Sequence, residues 1–262
     1  MFKVSTEPVT GTAEEEAAAA DAGAAIPAPP WQRLPDRQTR RRRDPISREA
    51  IVQAAVRLLD TEGLDAFSMR RVADELGTGA ASLYWHVGSK DGLLDLVMDQ
   101  VIGEQRVPEP EPERWPEQIK ELARQQRQIC LRHPWIVEVS IGRIPMGLNA
   151  LTFSERVLAI LTAGGVPDML AVQGYLLMIS TVNGFLLDEV GDAQPGAPAG
   201  VPQDAADMAS QYVASLPADR FPNMVALAPE FARADPEERF ELLLDIFVSG
   251  IVSRASAHGA QS

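Results

Sequence analysis

Nine side chains between residues 70 and 90 could together grip a polyanion and read what it carries: Arg70, Thr78, Ala80, Ala81, Ser82, Tyr84, Trp85, His86 and Lys90. A guanidinium such as that of Arg70 can donate two parallel hydrogen bonds to guanine O6 and N7. Thr78, Ala80, Ala81 and Ser82 are small, so a helix beginning with them is slim enough to enter a major groove. There Ser82 can reach a phosphate or a base edge, and Ala80 or Ala81 a thymine methyl. Tyr84, Trp85 and His86 supply a donor, an apolar surface and a cationic or donor tip. Lys90, in the first turn of a helix, adds its charge to free N–H groups and suits a phosphate. Taken singly, each has a plainer reading: Tyr84 and Trp85 as core, His86 as a satisfied surface histidine, Arg70 and Arg71 as a solvated face on which Arg71 could take the role of Arg70.

The elements that must position these groups are legible. Ser47 is a plausible N-cap, followed by Ile51, Ala54, Ala55, Leu58 and Leu59 at helical spacing, and Gly63 is placed to stop that helix. Ser68 caps a short second helix with Val72, Ala73 and Leu76 inward. Gly77-Thr78-Gly79 forms a bend before a third helix around Ala80–Val87 with Leu83 inward. Ser89 caps a fourth helix carrying Leu93, Leu94, Val97, Met98, Val101 and Ile102. A proline-rich connector at 107–117 leads to helices expected over 118–132, 134–142, 147–163, 167–190, 204–215 and 223–234, and a last one from Pro236. A loop is expected over 191–202. No strand alternation and no internal repeat appear, so the fold class is all-α.

The block SREAIVQAAVRLLDTEGLDAFSMRRVADELGTGAASLYWHVGSKDGLLDLVMD (47–99) resembles the DNA-binding domain of the tetracycline-repressor (TetR) family. The matching pieces are A-x-x-L-L-x-x-x-G in the first helix, S-M-R-R-V-A-D-E-L-G in the second, and S-L-Y-W-H-V-x-S-K-D-x-L-L joining the third to the fourth. The later helix spacing and the final RFELLLDIFVSGI look like the C-terminal domain of the tetracycline-repressor branch. Low complexity in AEEEAAAADAGAAIPAPP and the charge block RQTRRRRD read as a disordered tail with a basic arm over 1–45, and the resemblance implies a three-helix helix-turn-helix DNA-binding domain over 46–105 and a larger helical ligand-binding and dimerisation domain over 106–262. It implies a cytoplasmic homodimer, released as a repressor from double-stranded operator DNA by a small-molecule effector. The alternatives are an activator of the same family, or an all-helical ligand-binding protein or enzyme without DNA binding. No nucleophile–base pair, metal cluster or phosphate loop speaks for an enzyme.

The sensor half offers Trp135, Met146, Phe153, Tyr175, Met178, Asn183 and Phe185 as lining for an apolar ligand, although methionines and aromatics at helical spacing are also ordinary core. Gln173, Ser180 and Asn183 fall on one face of the 167–190 helix and could orient ligand oxygens, or bond between packed helices. The tetracycline branch holds its Mg²⁺–drug complex with a histidine; the corresponding stretch here, IVEVSIGRIP (136–145), has none, and Glu138 or Ser140 is no simple substitute. The expectation is an apolar ligand, polycyclic ones included, with no cofactor and no metal.

The bulk numbers set limits. The chain has 262 residues and a net charge of −13, the wrong sign for a DNA binder unless charge is local. It is: residues 31–48 carry seven arginines against two acids, so positive charge is focused just before the first helix. One cysteine, Cys130, excludes an internal disulfide framework and suits a reducing compartment. The N-terminus does not read as a secretory signal. The uncharged run 169–187 is long enough to span a membrane, but its polar interruptions and acidic flanks read as a buried helix of a soluble protein.

Overall fold

The computed structural model describes residues 46–191, 205–233 and 235–259. The tail and arginine arm expected over 1–45, and most of the loop expected over 191–202, lie outside these residues.

Four helices form the N-terminal module: α1 (Arg48–Glu62), α2 (Met69–Glu75), α3 (Ala80–Val87) and α4 (Lys90–Ile102). Their starts are fixed by the predicted caps. The hydroxyls of Ser47, Ser68 and Ser89 accept from the backbone N–H groups of Ala50, Arg71 and Gly92, and loss of such a cap typically costs about 1 kcal/mol. Gly63 ends α1 with φ 76° and Gly77 follows α2 with φ 64°, conformations that cost a Cβ-bearing residue. Ile51, Leu59, Val72, Leu83, Leu93 and Val97 are sealed in one core.

α5 (Trp115–Arg132), α6 (Trp135–Ser140), α7 (Leu148–Ala163), α8 (Asp168–Gly191) and α11 (Pro236–Gly259) form the body. α5 starts three residues earlier than expected because Pro116, which has no N–H to lose, sits in its first turn. The connector before it is held by buried Gln118: its Oε1 accepts from Glu111 N at 3.0 Å and its Nε2 donates to Glu109 O at 2.8 Å. α8 packs against α5, α6, α7 and α11, burying Ala171, Met178, Val182 and Leu186, while Phe185 meets Phe240 of α11 at 5.1 Å. Helices α9 (Ala205–Ala214) and α10 (Pro222–Arg233) pair with each other.

A ladder of ion pairs zips α5 to α11 in antiparallel register. Lys120 meets Asp245 at 2.8 Å and Arg124 meets Glu241 at 2.7 Å. Arg127 pairs with Glu237 and with Glu189 of α8, the latter at 2.6 Å. Arg127 is 6% exposed and its guanidinium lies 5.0 Å from the Phe240 ring. The two carboxylates push its pKa further up. None of these partners is visible in sequence, because they lie more than sixty residues apart.

One expectation needs correction. The run 169–187 is not a buried helix throughout. α8 is long and apolar enough to cross a membrane by length and composition, yet only a third of that stretch is buried. Met169, Val172, Leu176, Leu177 and Leu187 are exposed along one stripe, and Gln173 and Ser180 lie exposed on it too. On α11, Leu242 and Ile246 are exposed, whereas Phe247 packs partly buried against the core.

Candidate functional site

Two places in the described residues have the makings of a site. The first is the outer surface of α2 and α3. Leu83 and Val87 anchor α3 inward, which turns Ala81, Tyr84 and Trp85 outward; Trp85 is 70% exposed. No side chain caps α3: Gly79 holds that position, leaving first-turn N–H groups without a side-chain acceptor. Thr78 and Ser82 are half-buried beside them and Ala80 packs partly against the core.

The structure separates the two arginines that sequence left interchangeable. Arg71 is tied to Glu62 of α1. Arg70 has a side chain 88% exposed and only a 4.0 Å contact with Asp74, so its fork is available. Lys90 Nζ donates to Phe67 O at 3.0 Å and sits 5.4 Å from the Phe67 ring centroid. It is therefore a positioned charge at the start of α4. His86 departs from the expected outward tip: its Nε2 is buried with no partner, and its carbonyl accepts from Arg48 Nε at 3.0 Å. That bond pins the last residue of the arginine-rich segment to the end of α3.

The second place is a cavity of about 90 Å³ in the body. Of the residues proposed from sequence as ligand lining, Phe153, Tyr175 and Asn183 face it, together with Met98 and Ile102 of α4. Trp135, Met146 and Met178 do not. Trp135 instead donates Nε1 to Asp60 of α1 at 2.7 Å, beside His133 Nδ1 on the same oxygen at 2.7 Å. Met178 is sealed core and Met146 is half-buried on the α6–α7 loop. Phe185 is engaged with Phe240. Of the three polar groups placed on one face of α8, only Asn183 reaches the cavity. Ser180 donates to Leu176 O at 2.9 Å on the exposed stripe: Asn183 falls at the edge of the face it shares with Tyr175 and Ile179, which line the cavity, while positions 173 and 180 lie further round the helix among the exposed residues. Ser140 lines the cavity with its hydroxyl donating to Val137 O at 2.7 Å, and Glu138 is exposed.

α4 belongs to both places. Its first residue is Lys90, and its last turns present Met98 and Ile102 to the cavity. The α6–α7 loop grips it from the body side: Arg143 reaches Asp91 at 2.7 Å and Asp95 at 2.8 Å, and Asp99 accepts from Ala150 N at 2.9 Å.

Residues 51–97 match the bacterial regulatory proteins of the tetR family, and residues 107–255 match the tetracyclin repressor-like C-terminal domain. The chain belongs to the tetR family. It is similar to ActR of Streptomyces coelicolor, whose apo crystal structure is 44% identical with a TM-score of 0.74, covering 82% of this chain and 98% of that one. ActR in complex with actinorhodin gives 45% identity and a TM-score of 0.74, covering 80% and 99%. An HTH-type transcriptional regulator of Saccharopolyspora erythraea is 42% identical over 135 residues, 52% of this chain and 56% of that protein. An HTH-type transcriptional repressor of Streptomyces coeruleorubidus is 37% identical over 139 residues, 49% and 50%. The chain spans about half the length of these curated relatives.

Within this tetR-family chain, the sequence reading missed Gln105, Gln126 and Cys130 as cavity residues. Gln126 could have been found: it is a polar residue on the same face of α5 as Leu122 and Ala123, both fully buried. Burial pushes the Cys130 thiol up to about 12, so it lines the cavity as a neutral, weakly polar group.

Proposed function

We propose that the chain is a dimeric transcriptional repressor that leaves a palindromic operator when a small apolar organic molecule occupies the body cavity. Residues 46–105 are the DNA-binding domain and 106–262 the ligand-binding and dimerisation domain. Arg70, Thr78, Ala80, Ala81, Ser82, Tyr84, Trp85 and Lys90 form the DNA surface, with Arg70 reading a base and Lys90 holding phosphate. His86 contributes through its carbonyl, which anchors Arg48. The observation that carries this reading is the double role of α4, since whatever fills the cavity touches Met98 and Ile102 on the helix that also begins with Lys90.

The coupling follows from elementary thermodynamics. A dimer places two recognition helices about 34 Å apart on DNA. A ligand that fits the cavity better in another α4 arrangement shifts the population toward it by its differential affinity alone. The exposed aliphatic stripes of α8 and α11 supply the dimer surface, in the manner of a four-helix intersubunit bundle. ActR, solved with actinorhodin, supports an organic ligand for the present chain; the absence of a histidine from 136–145 supports binding without an obligatory metal.

The test is selection of bound sequences from random DNA, followed by release with a panel of hydrophobic natural products with and without Mg²⁺. An enriched palindrome released by a compound in the absence of Mg²⁺ is expected. No enriched sequence would contradict DNA reading, and a ligand active only with Mg²⁺ would contradict the metal-free cavity.

A further inference from the structure

The cavity lining contains no Asp, Glu, Lys, Arg or His, and several of its polar atoms are already engaged. Ser154 donates to Ala150 O, so Tyr175 donates its hydroxyl to Ser154 Oγ at 2.6 Å. Ser140 is bonded to Val137 O. Gln126 Nε2 donates to Asn183 Oδ1 at 2.8 Å. Two buried atoms of the lining are left without a partner: Gln126 Oε1 and Gln105 Oε1. Gln126 is 9% exposed, and its amide nitrogen is held by Asn183 Oδ1, so its carbonyl is a fixed acceptor rather than a swinging one.

An unanswered buried carbonyl costs more than the hydrogen bond itself contributes. Something with an O–H or N–H must therefore meet these two oxygens, whether water or ligand. Resting on the reading of this cavity as the effector site, we infer that Gln126 and Gln105 select a neutral, hydroxyl-bearing aromatic over its bare hydrocarbon and over its carboxylate. The hydroxyl donates to a carboxamide oxygen while the ring meets Phe153 and the aliphatic wall. A hydroxyl also answers either orientation of the Gln126–Asn183 amide pair, because it can donate or accept. A carboxylate is refused on two counts. It brings acceptors to acceptors, and the surroundings that push the Cys130 thiol up to about 12 penalise any anion placed there.

The experiment is calorimetric titration of the full chain at pH 7 with 1-naphthol, naphthalene and 1-naphthoate, three probes that share one ring system. 1-Naphthol is expected to bind at least tenfold more tightly than either of the others. Gln126→Leu is expected to bring the naphthol-to-naphthalene ratio down to about one while leaving naphthalene affinity within threefold. Gln105→Leu is expected to lower the same ratio partway and serves if the first variant does not fold. Equal binding of naphthol and naphthalene to the native chain, or preference for naphthoate, overturns the inference and leaves the cavity as a ligand site. Failure of all three probes to bind overturns the cavity itself and the inference with it. A ratio unchanged in a folded Gln126→Leu protein assigns the selection elsewhere and equally defeats it.

Discussion

Two of the surfaces that expose large apolar side chains among the described residues differ in what surrounds those side chains. On α3, Tyr84 and Trp85 stand among Ala81, a bare helix start at Gly79, the free fork of Arg70 and the placed ammonium of Lys90. On α8 and α11, Met169, Val172, Leu176, Leu177, Leu242 and Ile246 stand among one another. The first surface mixes cationic, hydrogen-bonding and flat groups drawn from α2, α3 and the start of α4, which fits the alternation of phosphate and base in a groove. The second is aliphatic over several turns, which only another apolar face can match. The company a hydrophobic residue keeps decides its partner.

The comparison can be broken most forcefully on the aliphatic side. Leu177→Glu combined with Ile246→Glu puts charges on both stripes without touching the core. A monomer is expected by sedimentation, with operator affinity reduced about a hundredfold or more as two half-sites cease to act together. A double variant that stays dimeric would move the interface elsewhere. Phe247→Glu is the wrong probe, because Phe247 packs partly buried against the core and its loss confuses unfolding with dissociation.

The next effect tests the frame that holds both surfaces. Arg127→Leu strands Glu189, 2.6 Å away and largely buried, and breaking one side of such a buried pair costs about 3–5 kcal/mol. A clear fall in urea midpoint is expected. No fall would mean that the ladder between α5 and α11 is ornamental.

Arg70→Ala sharpens the DNA side. It is expected to cost roughly 1–3 kcal/mol of operator binding and to relax preference at one base position. Unchanged preference at every position would leave Arg70 as a phosphate contact.

The smallest effect is a matter of pH. The hydrogen bond from Arg124 holds the Glu241 carboxyl below the usual carboxylate range. Its contribution is fully present above that range and is lost as pH falls through the lowered value. Glu241 is about a third exposed, so screening limits the contribution to about 1 kcal/mol or less. The stability gap between the native chain and Glu241→Gln should close on acidification. A gap constant down to strongly acid pH would mean that the pair carries no charge-dependent stability.

The N-terminal module was far more legible in sequence than the cavity, and the reason is range. Ser47, Ser68, Ser89, Gly63 and Gly77 act on backbone within five residues of themselves, so spacing alone places three caps and two stops where the structure has them. The outward face of α3 follows from Leu83 by helical period. The cavity instead is assembled from α4, α5, α6, α7 and α8, and no local pattern distinguishes a lining residue from a core one. Phe153 and Met178 look alike in sequence, yet one lines the cavity and the other is sealed. Trp135 was expected to line it because it is large and apolar, but its indole N–H is claimed by Asp60, 75 residues earlier in the chain and adjacent only after folding. Gln173 and Ser180 were expected inside because polar residues in an apolar helix suggest a site. They sit instead on the exposed stripe, where polarity needs no partner.

On the proposed reading, the cavity and the α3 surface communicate through α4. Linkage makes this measurable without a structure of the complex, because a ligand that weakens operator binding by some factor must itself bind the operator complex more weakly by the same factor. The decisive measurement is therefore the affinity of an aromatic effector for the free dimer and for the dimer saturated with its selected operator. The account predicts a weaker affinity in the complex, by about 5–150-fold, matched by the loss of operator affinity at saturating effector. Equal affinity for the free and the operator-bound dimer would contradict it.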